Sequence, residues 1–233
     1  MLIAFVGSEA SGKSTIIDEM ARRLSGHGGH GGVVRIHAGK PPSTALTFAP
    51  HALLPALRTV FPEQRTTHVE AHDRGSSGGS VPTLFAVRSV MLAYERRALL
   101  ARAARRSAQG AIVLCDRFPS SRNGAPDGPQ LGDLLERGGV RGRLASMEAR
   151  CYRDIAAPDL VVHLTAPLGV TLARNASRDK HEPEDYVRRR HSAASALEFD
   201  GVTVERVDTD RPLEETARAV EHAIRDAMGA VRP

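Results

Sequence analysis

A short apolar run, Leu2–Val6, leads straight into Gly7-Ser8-Glu9-Ala10-Ser11-Gly12-Lys13-Ser14, and a stretch with helical periodicity runs on from Lys13 to Leu24. Those eight residues match G-x-x-x-x-G-K-[ST] at every fixed position, and they stand between a predicted strand and a predicted helix, the setting the motif needs. Glycines at both ends let the backbone turn sharply enough for its amides to point inward, while the following helix presents its positive dipole end to the same point. Such a cradle suits a polyphosphate. Lys13 then reaches the β- and γ-phosphates, and Ser14 offers a hydroxyl to Mg²⁺. Gly7 to Thr15 is therefore the expected nucleotide-binding segment, with ATP and Mg²⁺ as its ligands. A plain glycine turn before a helix is the alternative, and the flanking elements argue against it.

Further β-rich runs at Val33–His37, Ala111–Cys115, Leu160–Leu164 and Val202–Val207 alternate with longer helix-compatible stretches. That alternation predicts a parallel sheet covered by helices. The expected helices are Lys13–Leu24, Thr83–Ser107, Leu131–Ile155, Leu168–Ala176, Pro183–Ala196 and Leu213–Met228, with Gly110 and Gly201 as breaks before strands. The stretches GHGGHGG at 26–32 and RGSSGGS at 74–80 read as flexible connections. With 233 residues, 41% of them apolar, the chain is expected to form one domain over 1–233 with a mobile lid.

Composition excludes several classes. No stretch approaches the ~20 apolar residues of a membrane span, and no cleavage signal follows Met1, so neither export nor a membrane role is expected. Two cysteines, Cys115 and Cys151, supply neither a disulfide framework nor a zinc spacing, which points to a reducing cytoplasm. His27, His30 and His37 stand among glycines with no carboxylate or cysteine at ligand spacing, so a solvent-facing loop is expected there. The net charge of +5 comes mostly from arginine, which suits bidentate recognition of phosphate. Aromatic content of 4% and the lack of a basic run alternating with aromatics argue against nucleic acid. A small anionic ligand is the expected partner.

Two other clusters carry chemistry. Asp116-Arg117-Phe118-Pro119-Ser120-Ser121 follows the third predicted strand, at the sheet edge where ligands collect in open α/β folds. Asp116 can hold Mg²⁺ through water or orient an attacking oxygen, and Arg117 can bind an acceptor anion bidentately; a surface Asp-Arg pair is the alternative. Arg174 and Arg178, four residues apart, would share one helical face in a lid that closes over transferring phosphates. A solvated basic helix explains them equally well, and Arg188, Arg189 and Arg190 are read as exposed helix residues of that kind.

Taken together, these motifs resemble the thymidylate kinase-like family of P-loop kinases, and the likeness covers most of the chain. Glu9 occupies the acidic position of the family loop G-x-[DE]-G-x-G-K, which implies contact with the acceptor sugar. Leu84-Phe85-Ala86-Val87-Arg88 is similar to the family's F-A-x-x-R helix, so Arg88 is expected to reach the acceptor. Asp116 to Ser121 matches D-R-[YFH]-x-x-S, which adds Arg117 and Ser121 to the acceptor side. LTAPLGVTLARNASR, Leu164–Arg178, looks like the fourth strand, proline turn and lid helix, and Val207–Glu214 looks like the segment that passes the adenine. The resemblance implies a three-layer α/β fold with strand order 2-3-1-4-5, a lid at about 174–190, and transfer of the γ-phosphoryl group of MgATP. A homodimer is compatible with it.

The departures fall on the acceptor side. Where the family carries T-R-E-P-G-G, this chain reads His37-Ala38-Gly39-Lys40-Pro41-Pro42-Ser43-Thr44, and Arg122–Pro129 replaces the usual A-Y-Q. Lysine occurs at only three positions, Lys13, Lys40 and Lys180, each in a motif. Lys40, stiffened by two prolines, is expected to supply the acceptor-side charge. A nucleoside monophosphate is the leading acceptor. A sugar, glycan end or modified nucleoside is the first rival. A nucleotide-switch or assembly ATPase is the second, disfavoured by the acceptor-side arginines and, for a GTPase, by the missing N-K-x-D.

Overall fold

In the computed structural model, which describes residues 1–26, 31–44, 47, 82–179 and 181–231, the apolar runs are parallel strands: β1 (Leu2–Gly7), β2 (Val33–His37), β3 (Ile112–Asp116), β4 (Leu160–Thr165) and β5 (Val204–Asp208). They pair in the order β2-β3-β1-β4-β5. This is the order the resemblance implied. The three central strands are buried and apolar apart from His163 in β4 and the residues at their carboxyl ends, as a parallel sheet covered on both faces requires, whereas β2 and β5 at the edges carry exposed residues. His27, His30, Lys180 and the stretch 74–80 lie outside the described residues.

The helices are α1 (Lys13–Leu24), α2 (Thr83–Ala108), α3 (Gly139–Arg153), α4 (Leu168–Ala176), α5 (Glu184–Ser195) and α6 (Leu213–Val231). Gly110 and Gly201 take the left-handed φ values of 90° and 67° that end one element before the next strand. One expectation fails: Leu131–Ile155 is not a single helix. A 3-10 turn at Gly132–Leu134 is followed by a break, and α3 starts at Gly139, whose φ is 76°. Gly142 makes the tight re-entry feasible, since a Cβ there would lie 1.7 Å from the Arg137 carbonyl oxygen.

The chain divides into two compact units: Met1–Gly39, Arg102–Phe118 and Ala156–Pro233 form the first, Lys40–Ala101 and Pro119–Ile155 the second. In the first, Ile16, Ile17, Met20 and Leu24 of α1 and Ala217, Val220 and Ile224 of α6 pack on Ile3, Phe5, Leu114, Val162 and Leu164 of the strands. Each large apolar side chain so buried contributes about 1.5–3 kcal/mol. Arg23 also bridges to Glu214 (2.5 Å) and Glu221 (3.1 Å) of α6, but ion pairs near the surface add little to stability. The apolar stripe therefore holds α1 in place. The second unit has its own core of Phe85, Ala86, Val90, Leu131, Leu134 and Ala145.

Strand register sets the site. Gly7 lies opposite Leu164, Asp116 opposite both Phe5 and His37, and Thr165 opposite Asp208, so the loops leaving these strands emerge at one carboxyl edge. Both cysteines are buried, and neither forms a disulfide. Among the described residues no helix is long and apolar enough to cross a membrane, and no group of three or more His, Cys, Asp or Glu side chains is placed to hold a metal ion.

Candidate active site

Three residues in the left-handed region shape the loop after β1: Gly7 (φ 146°), Ala10 (57°) and Gly12 (81°). A Cβ at Gly7 would lie 2.3 Å from the Leu164 carbonyl oxygen, so glycine is required there by the neighbouring strand. Ala10 adopts its conformation without glycine's freedom, at a cost of about 1–2 kcal/mol that only a firmly held loop sustains. N–H groups in such turns form an anion-binding concavity. No side chain caps α1, whose N-cap is Gly12, so its first-turn N–H groups and dipole serve the same concavity.

Lys13 is 8% exposed and curls back over the loop. Its Nζ donates to the carbonyl oxygens of Gly7 (3.1 Å) and Ser8 (2.5 Å), with Ser11 Oγ at 3.4 Å. Burial, and after it the charge of Arg117, bring its pKa down to about 8, against a weaker upward pull from Glu9 and Asp116. Phosphate oxygens are stronger partners for an ammonium than carbonyls are, because charge-assisted hydrogen bonds are roughly twice as strong. Ser14 and Thr15 are exposed on the cavity wall.

Glu9 is the hub of the adjoining charges. Arg117 Nη2 lies 2.5 Å from its Oε1, and Arg190 Nη2 of α5 lies 3.5 Å from the same oxygen. Burial pushes the Glu9 carboxyl up, but Arg117 by charge and hydrogen bond, then Lys13 and Arg190, outweigh it and hold the group below the usual carboxylate range. Arg117 has φ 65°, a strained conformation of the kind that clusters at functional sites. Its N–H donates to Phe5 O (3.0 Å) and its carbonyl accepts from Cys115 Sγ (3.1 Å).

Gly39 is wedged beside these groups: a Cβ there would lie 2.3 Å from Arg117 Cδ and 2.9 Å from His37 Cε1. Its N–H donates to His37 Nδ1 (3.1 Å), and His37 Nε2 lies 3.9 Å from Asp116 Oδ2. Asp116 Oδ1 is buried without a hydrogen-bond partner.

A polar cavity of about 160 Å³ is lined by Glu9 to Thr15 with His37, Asp116, Arg117 and Arg178. A second, of about 320 Å³, shares Ala10, Gly12, Thr15 and Arg178 with it and adds Arg174, Thr209, Arg211 and Leu213. The second falls at the lower end of the ~300–1,000 Å³ range of small-molecule pockets. The expectation of one helical face for Arg174 and Arg178 is corrected, because α4 ends at Ala176 and leaves Arg178 in the turn beyond it. Arg174 donates to Thr209 Oγ1 (3.1 Å) and Thr209 O (2.7 Å), fixed against the loop after β5. Arg178 is exposed and reaches both cavities. Buried Asn175 clamps the base of its loop, donating to Glu182 O (2.8 Å) and accepting from Glu182 N–H (3.1 Å).

Lys40, Arg88 and Ser121 belong to the second unit. Lys40 and Ser121 are exposed, and Arg88 is half-buried in the first turns of α2. The departing stretch Arg122–Pro129 is an ordered loop there: Gln130 Nε2 donates to Ala125 O and Gly128 O, while the Arg96 guanidinium holds Asp127 (3.0 Å) and Tyr152 Oη (2.7 Å). Glu148, 1% exposed, accepts from the Gln130 N–H at both oxygens (3.1 and 3.0 Å) and from the Leu131 N–H (2.8 Å). Burial pushes its carboxyl up to about 7, although those N–H groups and Arg96 favour the ionised form.

The sequence reading missed three residues of the first unit. His37 ends β2 as expected, but it was read as a solvent-facing residue among glycines, and it lines the polar cavity. Arg190 was read as solvated, and its side chain is only 18% exposed. Helical spacing carried that signal: Arg190 stands three residues after buried Val187 and four before buried Ala194, unlike exposed Arg188 and Arg189. Gly39 carried no signal, because the need for it comes from Arg117, far away in sequence.

A thymidylate kinase of Pseudomonas putida (strain F1) is 31% identical over 192 residues, covering 79% of this chain and 74% of that protein. The chain belongs to the thymidylate kinase family. The uncharacterized ATP-binding protein YghR of Escherichia coli (strain K12) is 24% identical over 228 residues, 96% of this chain and 86% of its own. No family model matches. Among solved structures, a deoxyadenosine kinase from M. mycoides with bound dATP has a TM-score of 0.51 at 13% identity, over 97% of this chain and 100% of that one, which supports the fold. A thymidylate kinase from Ehrlichia chaffeensis has a TM-score of 0.47 at 16% identity, over 97% and 98%. As a member of this family the chain is an ATP-using P-loop kinase, and its strand order, loop and helix arrangement are those of the kinase fold.

Proposed function

We propose that this kinase moves the γ-phosphoryl group of MgATP to a nucleoside monophosphate. One observation carries the reading: Lys13 of the phosphate loop and Arg117, the latter anchored on the loop's own Glu9, line one polar cavity with Asp116. The donor triphosphate is assigned to Gly7, Ser8, Glu9, Ala10, Ser11, Gly12, Lys13, Ser14 and Thr15, and its base to the larger cavity between Arg174 and Thr209. Arg117 and Glu9 take the acceptor; Arg88 and Ser121, from the resemblance, and Lys40, from the sequence, are carried over as acceptor-side residues. Arg178, on the proposed lid at 174–190, covers the phosphates. Phosphoryl transfer needs little covalent help from a protein, so catalysis here is positioning and charge stabilisation.

The residues fit Mg²⁺. Ser14 and Asp116 offer hard oxygen donors, and Asp116 Oδ1 is a buried acceptor without a partner. Ser14 and Asp116 would hold the ion, which when bound neutralises phosphate charge as transfer proceeds.

A second reading, transfer to a sugar, glycan end or modified nucleoside, is favoured by His37 on the cavity wall where the family carries T-R-E-P-G-G. The remaining parts of the proposal are a single kinase domain over 1–233, a cytoplasmic setting, a small-molecule acceptor rather than nucleic acid, and a homodimer. They are carried over from composition and resemblance. Product analysis with nucleoside monophosphates, nucleosides and phosphosugars tests the acceptor. Phosphorylated product from monophosphates alone supports the first reading, and product from neutral hydroxyl acceptors alone overturns it.

A further inference from the structure

Two guanidiniums meet on one oxygen of Glu9, and only one of them lines the cavity. Glu9 and Arg117 are wall residues of the polar cavity; among the described residues Arg190 is not one of them. Arg190 comes from a firmly seated part of α5. Val187 is fully buried, His191 Nε2 lies 2.9 Å from Ala166 O, and the helix packs on β1. Arg188, by contrast, pairs with Glu184 on the exposed side. At 3.5 Å the contact of Arg190 with Glu9 is electrostatic rather than a hydrogen bond.

A carboxylate at the mouth of an anion cavity opposes phosphate unless its charge is compensated. Arg117 and Lys13 supply part of that compensation, yet both are cavity residues to which incoming phosphate oxygens offer a competing partner. When either turns to phosphate, Glu9 loses a partner. Of the three cations beside Glu9, Arg190 is the one that does not line the cavity, so incoming phosphate offers it no competing partner there.

We propose that Arg190 is a positioning residue for the kinase reaction: by sharing Oε1 of Glu9 with Arg117, it fixes the Glu9 carboxylate and so holds the Arg117 guanidinium in one orientation at the cavity wall. This deepens the acceptor assignment above and rests on it for the kinetic consequence. The structural consequence needs no acceptor.

Two measurements test it. In the ligand-free protein, ¹⁵N relaxation of the Arg117 Nε–Hε group reports the order of that side chain directly. It is expected to be rigid in the wild type and in His191→Ala, which loosens α5 without touching Glu9. It is expected to be mobile in Arg190→Ala and partly restored in Arg190→Lys. An Arg117 that stays rigid in Arg190→Ala, or is loosened as much by His191→Ala, overturns the proposal. In steady-state kinetics with thymidine monophosphate as the probe acceptor, Arg190→Ala is expected to lower kcat/KM for the acceptor roughly three- to tenfold, with affinity for a non-hydrolysable ATP analogue unchanged. Adding it to Glu9→Gln should cost little more, because both act through one carboxylate. Full additivity contradicts a shared route. If the wild type ignores monophosphates, or Arg117→Ala leaves acceptor KM unchanged, the acceptor reading fails instead, and the relaxation result still decides the role of Arg190.

Discussion

Gly39→Ala should damage acceptor use while leaving the fold intact. The substitution places a methyl 2.3 Å from Arg117 Cδ and 2.9 Å from His37 Cε1, whereas ordinary contacts begin at 3.4 Å. Gly39 has no positive φ, so alanine brings no backbone strain and slightly restricts the unfolded chain. The strain therefore falls on Arg117, whose Cδ must retreat by about 1 Å. Its guanidinium, two bonds further out, then leaves its 2.5 Å pairing with Glu9. Losing a partly buried, charge-assisted contact of this kind costs about 1–3 kcal/mol, or roughly 5- to 150-fold in kcat/KM for the acceptor. The assay is steady-state kinetics with acceptor varied at saturating ATP, alongside thermal melting and ATP-analogue titration. Unchanged acceptor kinetics in the mutant refute the packing argument, and lost ATP binding would move Arg117 to the donor side.

Other perturbations separate the remaining parts. Lys13→Ala should lower phosphoryl transfer by at least ~10²-fold with melting temperature preserved, since its charge acts mainly on the transition state; retained activity in the folded mutant contradicts the donor assignment. Asn175→Ala removes both ties to Glu182 and should raise the KM for ATP several-fold with acceptor KM unchanged, because those ties order the loop that carries Arg178; an unaffected KM for ATP removes the loop from donor binding. Glu148 gives a pH signature. Its folded carboxyl, raised from 4.5 to about 7, holds a proton that the unfolded chain has released, so stability should fall as pH rises across that window and level off above it, by roughly 3 kcal/mol at most. Urea melts from pH 4.5 to 8 should show a flatter profile in Glu148→Gln, and parallel profiles would place the pH dependence elsewhere.

Much of the proposed donor site was legible in the sequence because its geometry is local. Gly7, Gly12 and Lys13 act through the backbone turn and helix start that they themselves create, and Asp116 and Arg117 lie where a strand must end at the sheet edge. Strand identities were clear for a related reason, since a parallel sheet buried on both faces leaves unbroken apolar runs. The proposed acceptor side was less legible, because its parts meet only in three dimensions. Gly39 is needed for the bulk of Arg117, and His37 for its place opposite Asp116. Arg190 was hidden in a run of three arginines, where the buried residues Val187 and Ala194 pick it out only once the helical face is traced. The break before α3 was missed because Leu131 and Leu134 keep helical spacing through a 3-10 turn, and the glycines at 138 and 139 then redirect the chain.

The central claim is transfer of phosphoryl from ATP to a nucleoside monophosphate. Following wild-type protein with MgATP and each monophosphate in turn by ³¹P NMR tests it most directly. The expected result is ADP and a nucleoside diphosphate appearing in equal amounts, dependent on the monophosphate and abolished by Lys13→Ala. ADP with inorganic phosphate alone, formed at one rate whether or not a monophosphate is present, would contradict it.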